Sequence, residues 1–161
     1  MRISILTVSD RCSRGEKEDK SGPLIKEIFG KTAEILCLKT VPDEKEEIKK
    51  ALIEMSDFLH SDVVFTTGGT GFAPRDVTPE ATKEVIEKEV PGIPEAVRAE
   101  SLKITPRAVL SRAAAGIRGK TLIINLPGSP KAVKESLDVI TPALPHAVET
   151  LSGATLSCGR E

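Results

Sequence analysis

The chain has 161 residues, a size that predicts one domain with a substantial hydrophobic core. Its 23 Lys and Arg residues balance 24 Asp and Glu residues, and the formal charge of −1 provides no global field for bulk nucleic acid or an anionic membrane. The chain contains no Trp, no Tyr and four Phe, too few rings for the stacking platforms of single-strand and RNA readers. We therefore expect neither nucleic acid nor a membrane among its partners.

The composition also bears on location and habitat. The first residues lack the long apolar segment of a signal peptide, and no segment approaches the roughly 18 apolar residues of a membrane span, so we expect a cytoplasmic protein. Cys12, Cys37 and Cys158 show neither a disulfide framework nor a C-x-x-C zinc spacing. The absence of Gln, the single Asn and the abundant Lys and Glu are typical of proteins from hot environments, which predicts a thermophilic source.

In chain order, strand and helix signals alternate. The predicted strands, apolar and without clean alternation, occupy residues 2–9, 35–41, 62–66 and 121–126. The predicted helices occupy residues 21–30, 43–59, 78–89, 94–103, 106–112, 132–140 and 144–151. Residues 152–161 have no pattern and are expected to form a tail after a single domain of residues 1–151. Buried strands separated by helices predict an α/β fold, with a mostly parallel sheet and helices on both faces.

Every predicted strand ends in a polar loop that contains Gly, Ser, Asp or Pro. Because ligands of parallel sheets bind beyond the carboxyl ends of the strands, these four loops should share one edge. Arg11, Arg14, Arg75 and Lys131 would concentrate positive charge there, although each alone is more often a solvated side chain. The mixture of cations, carboxylates, hydroxyls and one amide suits a polar, multiply anionic ligand.

The strongest local signal is the segment Thr66-Thr67-Gly68-Gly69-Thr70-Gly71. Three glycines within four residues remove side chains from a loop and let backbone N–H groups approach an anion closely. The segment is neither a Walker A loop nor a dinucleotide fingerprint, because the Lys of the first and the third glycine of the second are missing. We predict that these amides bind phosphate; the alternative is a turn that merely needs positive φ.

Two aspartates stand near this loop in the predicted fold. Asp76, in Arg75-Asp76-Val77-Thr78-Pro79, precedes a helix N-terminus, where it could hold a metal ion or serve in a surface ion pair or auxiliary cap. Asp43, three residues before Glu46, fits a capping box, and from the residues alone the cap is the preferred interpretation.

Five segments together resemble one known family. They are Val8-Ser9-Asp10-Arg11, the glycine-rich segment, Arg75-Asp76-Val77-Thr78-Pro79, Leu110-Ser111-Arg112 and Asn125-Leu126-Pro127-Gly128-Ser129-Pro130-Lys131. In residues and order they are similar to the MogA/MoaB-type molybdopterin adenylyltransferases of molybdenum cofactor biosynthesis. The resemblance implies a three-layer α/β domain, a homotrimer, that binds molybdopterin and Mg-ATP alongside other proteins of that pathway. It also implies transfer of AMP to the terminal phosphate of the pterin, with release of pyrophosphate.

The resemblance assigns roles residue by residue. It places the functional aspartates of the family at Asp43 and Asp76, as catalytic residues and Mg²⁺ ligands, which overturns the preference for Asp43 as a cap. Substrate binding falls on Ser9, Asp10, Arg11, Thr67, Gly68, Gly69, Thr70, Gly71, Arg75, Asn125, Pro127, Gly128, Ser129 and Lys131. The alternative is a non-catalytic pterin-binding or oligomeric scaffold protein with the same domain, which the presence of both aspartates disfavours. A nucleotide-binding oxidoreductase is disfavoured by the incomplete dinucleotide fingerprint.

Overall fold

The computed structural model describes residues 1–154, and their centre is one six-stranded sheet. The strands, in the spatial order β2-β1-β3-β6-β5-β4, are β1 (Arg2–Val8), β2 (Glu34–Val41), β3 (Val63–Thr67), β4 (Lys88–Glu89), β5 (Ala115–Arg118) and β6 (Thr121–Leu126). β2, β1, β3 and β6 run parallel, whereas β5 is antiparallel to β6 and β4 is antiparallel to β5. The prediction of a mostly parallel sheet is confirmed.

Seven α-helices connect and cover these strands within the described residues. They are α1 (Asp10–Ser13), α2 (Ser21–Phe29), α3 (Lys45–Ile53), α4 (Thr78–Val85), α5 (Gly92–Leu102), α6 (Pro130–Ile140) and α7 (Leu144–Ser152). Among residues 1–154, none is both long and apolar enough to cross a membrane. Most of the predicted tail, including Cys158, lies outside the described residues, and Ser152 belongs to α7.

Two hydrophobic clusters lie on opposite faces of the sheet, because successive side chains of a strand point to opposite sides. Along β1, Ile3 and Ile5 enter the cluster beneath α2 and α6, whereas Leu6 and Val8 enter the cluster beneath α3 and α4. Phe65 of β3 stacks on Phe29 of α2 with ring centroids 5.3 Å apart. Strands buried on both faces by helices confirm the α/β class, and they explain why the strand sequences show no clean alternation.

The antiparallel edge is the part of the fold that the sequence pattern misses. β4 contains two exposed charged residues, Lys88 and Glu89, and β5 contains four residues that begin with Ala and Gly, so neither carries a strand signal. The helix predicted for residues 78–89 ends at Val85 because Ile86 is extended, with φ −79° and ψ 152°. The chain then pairs with β5, where Gly116 lets the two backbones meet: a Cβ there would lie 2.7 Å from the Lys88 carbonyl oxygen.

Other predicted elements differ in kind or in length. The helix predicted for residues 43–59 begins at Lys45 and passes from α-helix into a π-helical turn over Glu54–Phe58. Residues 106–112 form a 3₁₀ turn over Pro106–Leu110. The loop predicted after β1 begins with the short helix α1. These changes leave the carboxyl ends of β1, β2, β3 and β6 at one edge of the sheet, where the polar loops meet.

Candidate functional site

The loops after β1 and β2 are locked together by two aspartates. The Asp10 amide donates a hydrogen bond of 2.7 Å to Asp43 Oδ2, and the Asp43 amide donates one of 3.1 Å to Asp10 Oδ1. The N-cap of α3 is Glu44, which makes no side-chain cap hydrogen bond. The capping-box interpretation of Asp43 is therefore wrong, and its carboxylate joins two loops instead.

Arg75 ties the loop after β3 to the same pair of loops. Its guanidinium donates to both oxygens of Asp10, at 3.1 and 3.0 Å, and its Nη1 lies 2.7 Å from Glu44 Oε1. The hydrogen bonds from Arg75 hold the pKa of the Asp10 carboxyl below its usual value. Because two carboxylates share this guanidinium, Arg75 fixes the relative positions of three loops.

The glycine-rich loop requires its first two glycines for steric reasons. Gly68 and Gly69 have positive φ angles, +100° and +64°. A Cβ at Gly68 would overlap the carbonyl oxygen of Val8, and a Cβ at Gly69 would overlap Thr78 Oγ1. The loop therefore lies directly against the end of β1 and against the start of α4.

The same loop presents a row of unused donors. The Gly68 amide donates to the Leu126 carbonyl at 3.3 Å, but the amides of Gly69, Thr70 and Gly71 donate to no acceptor among residues 1–154. Successive backbone N–H groups without acceptors form a concave site for an anion. The geometry thus supports a phosphate site over three of the four predicted amides.

Arg112 and Asp76 fix the far end of the loop. The Arg112 amide donates to the Thr70 carbonyl at 3.0 Å, and its guanidinium donates to the Gly71 carbonyl at 2.7 Å and to the Asp76 carbonyl. Asp76 Oδ2 accepts the Ala73 amide at 2.9 Å, which closes a turn. The Asp76 carboxylate is thereby held at the entrance to α4.

The Asp43 carboxyl is half-buried and lies near the carboxylates of Asp10 and Asp76. Burial raises its pKa, and the charges of Asp10 and Asp76 raise it further, against the hydrogen bond from the Asp10 amide. Only Asp10 has an arginine that contacts both of its oxygens. The carboxylates of Asp43 and Asp76 have no such arginine among residues 1–154, which favours an additional cation beside them.

Two cavities meet at the glycine-rich loop. The larger, about 540 Å³, is polar, and Thr67, Gly68 and Gly69 form part of its wall together with Asp43 and Asp76. Its walls carry charges of both signs: the cations of Arg11, Arg14, Lys17 and Lys20 and the carboxylates of Asp10, Glu18, Asp19, Asp43 and Asp76. A polar cavity of this size next to unused amides suits a ligand with several phosphates that binds together with a cation.

The smaller cavity, about 270 Å³, is largely apolar and begins where the loop continues through Thr70 and Gly71. Its walls come from α5, the 3₁₀ turn and α6, and include Ile93, Val97 and Ala108. Arg98 stands among them, but its Nη1 donates to the Ala113 carbonyl at 3.2 Å. An apolar cavity beside a phosphate loop is shaped for the flat, uncharged part of a ligand.

The family described as a probable molybdopterin binding domain matches residues 4–146 of this chain. The chain belongs to this family. The match spans all six strands except the first two residues of β1, and it includes the glycine-rich loop, both aspartates and the walls of both cavities.

Relatives of this molybdopterin-binding domain are similar to the chain in sequence and in structure over most of its length. A molybdopterin adenylyltransferase of Helicobacter pylori J99 is 48% identical over 159 residues, which cover 95% of this chain and 89% of that protein. The crystal structure of the molybdopterin biosynthesis enzyme MoaB from Thermus thermophilus has a TM-score of 0.89 at 49% identity, covering 94% of this chain and 96% of that one. A tungsten cofactor synthesizing protein MoaB from Pyrococcus furiosus has a TM-score of 0.86 at 42% identity, covering 93% and 96%.

Within this molybdopterin-binding domain, most of the predicted site residues lie on one of the two cavities. The polar cavity holds Ser9, Asp10, Arg11, Asp43, Thr67, Gly68, Gly69, Asp76 and Gly128, and the apolar cavity holds Thr70, Gly71, Asn125 and Pro127. Arg75 lies at the rim, bound to Asp10 and Glu44. Lys131 lines neither cavity, and its exposed ammonium lies 3.9 Å from Glu135 of α6.

Three side chains that were predicted to bind the ligand form hydrogen bonds within the protein instead. Asn125 is 4% exposed, and its amide bonds the Ala114 amide and the hydroxyls of Thr66 and Thr82. The hydroxyls of Ser9 and Ser129 accept the first-turn amides of α1 and α6. These residues shape the loops and cavity walls rather than present free polar groups.

Several residues of the candidate site were not predicted from the sequence. Lys17, Lys20 and Asp19 line the polar cavity, and Asp19 also accepts the amides of Ser21 and Gly22 at the start of α2. Their signal was only a run of charges before a helix, which usually indicates a solvated segment. Arg112 was visible only as part of the Leu110-Ser111-Arg112 segment, because its contacts join positions about forty residues apart.

The residues present fit a hard divalent cation bound together with phosphate. Within residues 1–154 no group of three or more His, Cys, Asp and Glu side chains could hold a metal ion alone. Mg²⁺, however, is usually bound by one or two carboxylates plus substrate phosphates and waters. Asp43 and Asp76 satisfy that smaller requirement, and both line the polar cavity beside the unused amides.

Proposed function

We propose that this chain is a molybdopterin adenylyltransferase, which transfers AMP from ATP to the terminal phosphate of molybdopterin and releases pyrophosphate. The observation that carries the proposal is the loop of Gly69, Thr70 and Gly71, whose unused amides lie where a polar and an apolar cavity meet. Two phosphate-bearing ligands can approach such a loop from its two sides. The relatives named for this activity align over 95% of the chain.

The polar cavity supplies charge for the nucleotide phosphates. Arg11, Lys17 and Lys20 line it and form no ion pair among the described residues, so their charges are available to an anion. Backbone amides of the loop then hold phosphate oxygens in fixed positions, because their own acceptors are missing. Both reactants are anionic, so the first task of the site is to bring them together against repulsion.

Asp43 and Asp76 would hold Mg²⁺ together with the phosphates of the nucleotide. Bound there, the ion would neutralise charge that develops on the α-phosphate. Asp10 and its hydrogen bonds keep Asp43 in place, and the Ala73 amide does the same for Asp76. The two carboxylates are therefore fixed before substrate arrives, which is what electrostatic stabilisation of a transition state requires.

The attacking group needs no protein base. The second pKa of a phosphate monoester is about 6, so the terminal phosphate of molybdopterin is largely ionised near neutral pH. In that state a phosphate oxygen attacks the α-phosphorus and pyrophosphate leaves from the opposite side. The protein contributes alignment and charge.

We assign the apolar cavity to the pterin ring system. Ile93, Val97 and Ala108 offer apolar contact, and Ser101 and Ser111 offer hydroxyls for the polar edge of a heterocycle. The entrance beside Thr70 and Gly71 directs the phosphate end of such a ligand toward the amides of the loop. Sulfate or phosphate soaked into crystals should accordingly bind at the loop and not within the apolar cavity.

The decisive experiment is a direct assay of the reaction. Purified protein is incubated with molybdopterin, ATP and Mg²⁺, and both pyrophosphate and adenylylated molybdopterin are quantified. We expect the two products in equal amounts, with neither formed when molybdopterin or Mg²⁺ is omitted. Binding of molybdopterin without either product would instead establish the non-catalytic pterin-binding alternative.

The biological setting completes the proposal. We propose a homotrimer that works in the cytoplasm of a thermophile with other proteins of molybdenum cofactor biosynthesis, and a single molybdopterin-binding domain of residues 1–151. Ion pairs that share partners, such as Lys45 and Lys49 with Glu84, are of the kind that persists at high temperature. A thermal midpoint well above roughly 65 °C and a trimer mass in light scattering are the expected results.

A further inference from the structure

A buried hydroxyl without a partner lies beneath the glycine-rich loop. Thr78, the first residue of α4, is 0% exposed, and its Oγ1 makes no hydrogen bond within the described part of the chain. A buried hydroxyl without a hydrogen bond costs free energy, and neighbouring threonines avoid that penalty. Thr82 Oγ1 accepts from Asn125 Nδ2 at 2.8 Å, and Thr67 Oγ1 donates to the Pro127 carbonyl at 2.7 Å. An orphaned hydroxyl in a well-bonded region indicates a missing partner.

The hydroxyl shares its surroundings with a catalytic candidate. A Cβ built on Gly69 would overlap Thr78 Oγ1 and would lie 3.2 Å from Asp43 Oδ1, so both oxygens border the space that this glycine leaves free. Asp43 accepts the Asp10 amide through Oδ2, and among residues 1–154 its Oδ1 takes part in no hydrogen bond. A neutral and an anionic oxygen, both without partners, therefore flank one small space.

We propose that Thr78 Oγ1 is a further oxygen ligand of the divalent cation that Asp43 and Asp76 would hold. The proposal rests on the proposed function for the choice of ligand, a magnesium nucleotide. Hydroxyl groups of Ser and Thr bind Mg²⁺ beside nucleotide phosphates in other phosphate-binding loops. A donor set of two carboxylates and one hydroxyl also agrees with the absence, in residues 1–154, of a cluster built from carboxylate, imidazole and thiol groups alone.

The backbone above the hydroxyl permits access. Gly69 covers Thr78 and has φ +64°, and a glycine can change its backbone angles without moving a side chain through its neighbours. The Thr78 amide, which donates to the Gly69 carbonyl at 3.1 Å, keeps the loop and the helix in register. Ligand binding then requires a rotation of one peptide rather than a displacement of α4.

The test compares two isosteric substitutions on adjacent turns of α4. Thr78→Val removes the unpaired hydroxyl, and Thr82→Val, the control, removes a hydroxyl that bonds Asn125. Binding of Mn²⁺ as a probe for Mg²⁺ is followed by electron paramagnetic resonance, with and without ATP and in the absence of molybdopterin. Thermal midpoints are measured without metal or nucleotide.

We expect opposite results for the two variants. Thr78→Val should melt at or above the wild-type temperature and bind Mn²⁺ with ATP about tenfold more weakly or worse, the usual scale for a lost contribution to a metal site. Thr82→Val should melt lower and keep its Mn²⁺ affinity, and Thr78→Ser should restore the affinity that Thr78→Val loses.

Unchanged Mn²⁺ affinity in Thr78→Val overturns the inference, and so does a wild-type protein that binds no Mn²⁺ with ATP. The proposed function is judged separately. If the wild type transfers AMP and the Thr78→Val affinity is unchanged, the function stands and the ligand assignment fails. If Mn²⁺ binding depends on Thr78 but no AMP is transferred, the assignment stands and the adenylyltransferase proposal fails.

Discussion

The two cavities beside the glycine-rich loop are built from opposite kinds of residue. The polar cavity is formed by the loops after β1, β2, β3 and β6, and charged hydrogen bonds such as those of Asp10 with Asp43 and Arg75 position the first three. The apolar cavity is formed by α5, the 3₁₀ turn and α6, whose positions depend on packing. One loop therefore borders two cavities of opposite chemistry, and its row of unused amides lies where they meet.

This difference divides the proposed reaction into separable parts. In the proposed reaction, charge and metal chemistry would belong to the polar side, and recognition of the ring system would belong to the apolar side. Substitutions on one side should therefore change one set of kinetic constants and leave the other set intact, provided that the shared loop keeps its shape. The predictions below test that separation.

The largest effect is expected at the two aspartates of the polar cavity. Asp76→Asn and Asp43→Asn retain a side-chain oxygen for the Ala73 and Asp10 amides but remove the negative charge. Turnover should fall by roughly 10²-fold or more in each variant, the scale for loss of a preorganised electrostatic group. Steady-state assays of pyrophosphate release provide the measurement.

Asp138→Asn, on the exposed face of α6, is the matched control and should keep wild-type turnover. Near-normal AMP transfer in Asp76→Asn or in Asp43→Asn would remove that residue from the catalytic set. For Asp43, such a result would leave only the loop-joining role that its hydrogen bonds show.

The second effect concerns the loop that both cavities share. Gly69→Val places a side chain against Thr78 and forces a β-branched residue to φ +64°, so affinity for ATP should fall at least about tenfold. The strained backbone should also lower the free energy of unfolding by roughly 1–3 kcal/mol. Calorimetric titration with ATP and chemical denaturation measure the two quantities.

Gly119→Val separates strain from function. Gly119 has φ +55°, but a Cβ there meets nothing within 4 Å, and it lies on the turn between β5 and β6, away from the loop. This variant should lose comparable stability and keep its ATP affinity. Equal ATP affinities in the two glycine variants would show that the loop amides do not bind the nucleotide.

The sequence predicted the polar side of the site better than the apolar side, for a physical reason. Gly68, Gly69 and Asp76 are residue types whose placement after a buried strand has few structural explanations, so their pattern indicated a site. Ile93, Val97 and Ala108 line a cavity, but in a sequence they are indistinguishable from residues of a hydrophobic core. Nothing local marks an apolar wall as a ligand surface.

The fold shows the same contrast between local and distant information. The four parallel strands have strong local signals and were predicted to within one residue at every end. β4 and β5 exist because Lys88 and Glu89 pair with Ile117 and Gly116 across the sheet, a contact that no local pattern encodes. Asn125 was predicted to bind substrate because it ends a buried strand and belongs to a segment that resembles the family, yet its hydrogen bonds are with Ala114, Thr66 and Thr82.

The third effect should be confined to the apolar cavity. Ala108→Phe fills part of the space between the 3₁₀ turn and α5, so the KM for molybdopterin should rise about tenfold while the affinity for ATP stays unchanged. The neighbouring Val109 is 64% exposed and lines neither cavity, which makes Val109→Phe the matched control. A parallel loss of ATP affinity in Ala108→Phe would contradict the separation of the two sides.

The smallest effect concerns thermal stability: the Asp43 charge that is proposed to serve catalysis should destabilise the folded protein. Burial raises the pKa of Asp43 in the folded protein, so the ionised carboxylate destabilises the fold above that pKa, and the cost disappears once pH falls below the pKa of the unfolded chain. Asp43→Asn removes the charge and should raise the thermal midpoint at pH 7, by no more than about 2–4 °C, which corresponds to roughly 1 kcal/mol at this size. The difference from wild type should shrink as the pH is lowered toward 3.8, the ordinary value for Asp. Differential scanning calorimetry from pH 7 to that value measures both trends. A midpoint that falls at pH 7 would mean that the charge of Asp43 stabilises the loops, and that the polar cavity is not strained by its carboxylates when empty of ligand.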